Sequence, residues 1–126
     1  MIPPLKYFNK PTLQILSDGK VKSKADITAL LIENMNFSNE DLRETTKSGS
    51  VLRYQDRISW TLVYLKKAGM IESEGNGLYK ITKLGKDLLR KECDKEIIDN
   101  HILSKYSSAF DTFQNEWRRK AYKGSK

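Results

Sequence analysis

A long amphipathic segment that runs directly into two short strands constrains the fold more than any other feature of the sequence. From Arg53 to Ala68, residues of one helical face recur at spacings of three and four, which predicts a helix with one buried side. That inner face comprises Ile58, Thr61, Leu62, Leu65 and Ala68. Gly69 supplies a C-terminal stop, and Met70–Ile71 and Leu78–Ile81 then predict two short strands. The link between them, Glu72–Gly77, has the glycine and asparagine residues of a hairpin turn.

Shorter helices are predicted on both sides of this unit. Pro11 lies in the first turn of one, and Ser23, Ser38 and Thr82 are N-cap residues of three others. Two more helical stretches follow within residues 93–126. A helix followed at once by a two-stranded wing is the organisation of a winged helix, in which the helix before the wing usually enters the major groove of DNA.

The predicted fold is therefore mostly α with a small antiparallel β-hairpin. It is a winged helix-turn-helix with a C-terminal helical extension. Residues 1–92 form the winged-helix, DNA-binding domain, and residues 93–126 form the helical extension or a linker.

Positive charge is concentrated on the predicted helix and wing. The chain has a net charge of +7, and residues 51–91 contain nine basic and four acidic side chains, which gives +5 for this segment alone. Grouped charge of one sign favours an acidic partner. Because these residues accompany a groove-reading topology rather than an exposed apolar face, double-stranded DNA is expected and a membrane is not. With a single Cys93 and no secretory leader pattern, the expected location is the cytoplasm.

Catalytic signatures are absent from the sequence. It contains no GxSxG, P-loop or HExxH motif, and His101 has no cysteine or acid at ligand spacing. We therefore expect no catalytic residue, metal or cofactor, and predict that the chain is not an enzyme.

Three segments carry a resemblance to a known family. They are Tyr54–Trp60 (YQDRISW), Tyr64–Glu72 (YLKKAGMIE) and Gly77–Gly85 (GLYKITKLG). With Leu16–Gly19 (LSDG) and Phe37–Glu40 (FSNE) upstream, they resemble the N-terminal winged-helix domain of Mrr-type, type IV-like restriction endonucleases. The similarity extends from about Leu13 to Phe113.

The resemblance implies a reader module of a restriction system. In that family the N-terminal domain binds DNA, and a separate C-terminal domain cuts it with an Asp and a Glu/Gln-x-Lys that hold a divalent metal. That arrangement is not found in this chain, so the nuclease is expected to be a fused or associated domain. Because the family restricts modified, often methylated, DNA, recognition of a modified base is also implied. The wing tip has Glu74 where relatives often have arginine, which weakens a phosphate contact there.

Base contacts are predicted from the N-terminal half of the long helix. Arginine pairs with guanine and glutamine with adenine, which makes Arg53, Gln55 and Arg57 candidates, and Trp60 offers an apolar face to a base methyl group. Alternatives are open. For the arginines, the alternative is an ion pair with Asp56 or with an acid of the preceding helix. For Trp60, the alternative is packing under the wing.

Phosphate contacts are predicted from residues around the same helix and wing. The candidates are Ser48, Ser50, Lys66, Lys67, Lys80 and Lys83. Lysines there add a salt-sensitive attraction that is independent of sequence. The alternatives are N-capping for the two serines and a solvated surface for the lysines.

An aromatic stripe in the C-terminal stretch leaves the oligomeric state open. It consists of Phe110, Phe113, Trp117 and Tyr122. We expect it to pack on the first helix near Tyr7 and Phe8, or to form the seam of a homodimer. Two alternative functions follow: a small dimeric winged-helix transcription regulator, and a winged helix whose basic face binds an acidic protein.

Overall fold

A computed structural model describes the backbone of residues 1–124 and the side chains of residues 1–120. Tyr122, the last member of the aromatic stripe, lies outside the described side chains. After a short 3₁₀ turn at Leu5–Tyr7, the elements are α1 (Asn9–Leu16), β1 (Lys22–Ser23), α2 (Lys24–Asn34), α3 (Asn39–Arg43), α4 (Arg53–Lys67), β2 (Ile71–Gly75), β3 (Leu78–Ile81), α5 (Lys83–Lys91), α6 (Asn100–Tyr106) and α7 (Ser108–Gly124). This order confirms the predicted mostly α, winged-helix-like fold.

Local hydrogen bonds fix where several helices begin. Ser38 Oγ accepts from the Asp41 amide at 3.1 Å, while the Asp41 carboxylate accepts from the Ser38 amide at 2.9 Å. Ser23 Oγ accepts from the Asp26 amide in the same way at the start of α2. Each cap satisfies amides that have no partner inside the helix. Helix starts are thus set by residues within three positions of one another, which is why the sequence predicts them.

The sheet has three antiparallel strands in the order β1-β3-β2. Ile71 is paired with Ile81 and Gly75 with Leu78, so β2 continues four residues beyond the predicted Met70–Ile71 strand. The turn is correspondingly tighter, because positive φ values begin only at Gly75 and end at Gly77. The polar residues of β2 are exposed and give no alternating apolar signal, which explains the underestimate.

A three-way junction joins the end of α4 to the wing and to α5. Thr82 Oγ1 donates to the Gly69 carbonyl at 2.6 Å and accepts from the Gly85 amide at 3.1 Å, while the Thr82 amide donates to the Met70 carbonyl at 3.0 Å. A Cβ at Gly85 would lie 2.2 Å from the Met70 carbonyl oxygen. Helix α5 therefore reaches the start of the wing only because residue 85 has no side chain.

One apolar core holds these elements together. Its fully buried large side chains come from the N-terminal segment, the helices, the sheet and two of the links between them: Phe8, Leu13, Leu16, Ile27, Leu31, Ile58, Leu65, Met70, Ile71, Leu88, Ile98 and Phe110. The predicted inner face of α4 is confirmed, since Ile58, Thr61, Leu62 and Leu65 are all buried. In the part of the chain that the structure describes, no helix is long and apolar enough to span a membrane.

The segment after α5 packs on the rest of the chain. Buried Asn9 donates from Nδ2 to the Ile98 carbonyl at 2.7 Å. In α7, the rings of Phe110 and Phe113 lie 6.1 Å and 6.2 Å from that of Tyr64 in α4. The aromatic stripe thus packs on α4 rather than on the first helix. The domain boundary at residue 92 remains a prediction.

Substitution of Gly85 tests the junction. We expect Gly85→Ala to lower the free energy of unfolding by about 2 kcal/mol, because the overpacking against Met70 outweighs the better helix propensity of alanine. Urea denaturation followed by circular dichroism measures the change. The control is Lys86→Ala, at the exposed neighbouring position, with an expected change below about 0.5 kcal/mol. Equal stability of the Gly85→Ala variant and the wild type would contradict the close approach.

Candidate nucleic-acid interface

A groove between the N-terminal halves of α2 and α4 is the main concave surface of the predicted DNA-binding side. Its volume is about 620 Å³. The lining residues, which define the α2–α4 groove, are Lys24, Ala25, Thr28, Val51, Gln55, Asp56 and Ser59. Gln55 is exposed, and Asp56 and Ser59 are half-buried, so α4 has its apolar side in the core and polar, hydrogen-bonding residues toward the groove.

Lys24 connects three elements at this groove. Its ammonium donates to Ser59 Oγ at 2.7 Å, which links α2 to α4. Its backbone amide donates to the Gly77 carbonyl at 2.9 Å, which links α2 to the wing. The sequence prediction did not include Lys24, because it lies 35 residues from Ser59 and no local pattern connects them.

The predicted base-reading arginines are held by acids of the same chain. Arg53 Nε donates to the Glu44 carboxylate at 2.9 Å, and its Nη2 donates to the Thr45 carbonyl at 3.1 Å. Arg57 Nη1 lies 3.6 Å from the Asp56 carboxylate. Both arginines are partly buried, so the ion-pair alternative is the one that the structure contains. Their base contacts remain predictions, and they require these pairs to open.

Gln55 and Trp60 are the exposed members of the predicted base-reading set. Gln55 lines the α2–α4 groove. The Trp60 ring lies 5.8 Å from that of Tyr64, on the side of α4 that carries the α7 aromatics, and its side chain is 45% exposed. Trp60 therefore does not pack under the wing.

The serines before α4 do not cap it. The N-cap residue is Leu52, which makes no side-chain cap bond. Ser48 Oγ instead shares hydrogen bonds with Thr46 Oγ1 at 3.1 Å and Ser50 Oγ at 2.9 Å. The capping alternative is thus wrong, and the three hydroxyls form an exposed cluster beside the start of α4.

The predicted phosphate-binding lysines differ in whether neighbouring acidic side chains neutralise their charge. Lys80 Nζ lies 3.3 Å from Glu72 and 3.5 Å from Glu74, and the hydrogen bond with Glu72 is the largest cause that raises the pKa of Lys80. The Lys67 ammonium lies 5.6 Å from the centroid of the Phe113 ring. Lys66 and Lys83 are exposed. The wing strands thus neutralise their own lysine, while α4 and α5 keep exposed cations.

A metal site is not apparent in the described part of the chain. Within it, His, Cys, Asp and Glu side chains form no group of three or more that could hold an ion.

Comparison with known proteins gives one match. A family model described as the Mrr N-terminal domain matches residues 6–91, which extends from the 3₁₀ turn to the last residue of α5. No curated protein and no solved structure matches the chain.

Removal of the Arg53 side chain tests whether this residue is structural. Because Arg53 joins α4 to Glu44 and Thr45, we expect Arg53→Ala to lower the free energy of unfolding by about 1–2 kcal/mol. Urea denaturation measures the loss. Arg90→Ala is the control, since Arg90 is an exposed arginine paired with Asp87 on its own helix, and there we expect less than about 0.5 kcal/mol. The assignment fails if the two substitutions cost the same.

Proposed function

Because the chain belongs to the family of Mrr N-terminal domains, which indicates a role in a restriction system, we propose that it binds double-stranded DNA as the reader of such a system. The outer side of α4 enters the major groove, and the wing and the start of α2 flank it. Cleavage is supplied by a separate nuclease domain, fused or associated, and the site of action is the cytoplasm.

The observation that carries this proposal is the orientation of α4. Its four buried positions face the core, and Gln55 and Ser59 face outward beside Lys24. A helix presented in this way before a wing is the element that enters the major groove in helix-turn-helix proteins. The groove around it has both hydrogen-bonding and apolar walls, which base edges require.

The exposed side chains suggest separate roles in binding. Gln55 is exposed, and its Nε2 donates to the Tyr54 hydroxyl at 3.3 Å; release of that bond lets it pair bidentately with adenine N6 and N7. Lys24, Lys66 and Lys83 supply positive charge for phosphates on either side. Arg53 holds the N-terminal end of α4 in position through Glu44 and Thr45, while Arg57 pairs with Asp56 on the same helix.

Within the duplex, the proposed target of the α2–α4 groove is a modified base. Ala25 and Val51 provide an apolar wall of the α2–α4 groove, and the Thr28 side chain adds a methyl group. Contact with such a wall favours a base methyl group that projects into the major groove. This step rests on family membership as well as on the chemistry of the groove.

A competition between matched duplexes tests the proposed function. We expect binding that weakens steeply with salt, and tighter binding when the duplex contains 5-methylcytosine or N6-methyladenine in place of the unmodified base. Fluorescence anisotropy at several salt concentrations measures both. The absence of duplex affinity at low salt contradicts DNA binding, and equal affinity for all duplexes contradicts only the modified-base reading.

Three alanine variants separate base from phosphate contacts. We expect Gln55→Ala to cost about 1–3 kcal/mol on the preferred duplex and to relax sequence preference, whereas Lys66→Ala weakens all duplexes equally and lowers the salt slope by about one. Lys95→Ala is the control, because it removes an exposed positive charge outside α4 and the wing. If all three variants bind like the wild type, the docking face is misassigned.

A further inference from the structure

A continuous aromatic surface lies where α7 meets α4. The rings of Trp60 and Tyr64 are 5.8 Å apart, and those of Tyr64 and Phe113 are 6.2 Å apart. Trp117 joins Tyr64 and Phe113 in lining a small pocket of about 80 Å³. We call Trp60, Tyr64, Phe113 and Trp117 the aromatic patch.

The aromatic patch is incompletely covered by the chain itself. Trp60 is 45% exposed and Trp117 is 59% exposed. Tryptophan, tyrosine and phenylalanine are enriched at the centres of protein–protein interfaces, where they carry most of the binding energy. Two half-exposed tryptophans beside two partly buried rings therefore have the composition of an interface rather than of ordinary surface.

The second half of α7 is sparsely packed, although Trp117 and Arg118 line the small pocket beside Tyr64. Phe110 is buried, and Gln114 Oε1 accepts from Ser104 Oγ at 2.8 Å. From residue 115 to residue 120, every side chain is exposed. Helices that lack tertiary packing are marginal in water. This half of α7 would gain stability from a partner.

The first half of α7 carries acidic side chains and the second half carries basic ones. Asp111 and Glu116 are acidic, and the following Arg118, Arg119 and Lys120 are basic. A uniformly acidic partner would be repelled by the first two residues, and a uniformly basic partner by the last three. Another α7 that runs in the opposite direction complements both ends.

We infer that two copies of this chain associate through the aromatic patch, with their α7 helices antiparallel about a two-fold axis. Each copy places its acidic half of α7 beside the basic half of the other, and the two Trp117 side chains become buried. Such an interface is isologous, since each copy contributes the same residues.

This interface is compatible with DNA binding but does not depend on it. Ser59 and Trp60 are consecutive residues of α4, so their side chains are about 100° apart around the helix axis. The side of α4 that lines the α2–α4 groove thus differs from the side that carries the aromatic patch. Loss of one activity therefore does not require loss of the other.

Sedimentation equilibrium of the full chain over a range of concentrations tests the inference. We expect the mass of two chains, and we expect Trp117→Ala to raise the dimer dissociation constant by at least about tenfold. Val51→Ala is the control, because Val51 is an exposed apolar residue, 42% accessible, that lies in the α2–α4 groove. It should leave the constant unchanged. Circular dichroism verifies that each variant is folded.

Charge reversal tests the antiparallel arrangement separately. The double variant Asp111→Lys with Glu116→Lys makes α7 basic throughout and should abolish dimers. Further addition of Arg118→Glu, Arg119→Glu and Lys120→Glu should restore them, since the two halves are again opposite in sign. A monomer at concentrations up to about 100 μM, a dimer that Trp117→Ala does not weaken, or a failure of the fivefold variant to associate overturns the inference.

Discussion

The contacts of Thr82 are the constraint on which the rest of the structure depends. This one residue joins the end of α4, the start of β2 and the first turn of α5 through hydrogen bonds to Gly69, Met70 and Gly85. Gly85 then allows α5 to pack directly against the Met70 carbonyl. Because the junction fixes the angle between α4 and the wing, it also fixes the shape of the surface that both expose.

The net charge of residues 51–91 overstates the positive charge that is free to attract an anion. Arg53 is paired with Glu44, and Lys80 lies between Glu72 and Glu74. These pairs orient α4 and hold the wing strands together, at the expense of attraction for phosphate. The positive charge that remains accessible lies around α4, and it includes Lys24 on α2 and Lys83 on α5. In the proposed interface with DNA, the wing therefore contributes shape more than charge.

Much of the fold follows from local sequence signals, and much of the site does not. The inner stripe of α4, the Ser38 cap and the hairpin depend on residues within a few positions of one another, so spacing and turn chemistry predict them. The resemblance to the family predicts the same fold for the whole region that the family model matches. By contrast, the Lys24–Ser59 hydrogen bond and the Tyr64–Phe113 contact join residues far apart in the chain. The contacts of Tyr64 with Phe110 and Phe113 set the side of α4 that α7 covers, and no helical pattern around Trp60 contains that information.

Two surfaces of α4 thus have different chemistry: a polar side toward the α2–α4 groove and an aromatic side toward α7. We propose that the polar side meets DNA. Amide chemical shifts of the labelled protein, recorded during titration with a methylated duplex, test this contact. We expect the largest changes at Lys24, Gln55, Ser59 and Lys66. Changes confined to α6 and α7, or to the outer side of α5, would contradict it.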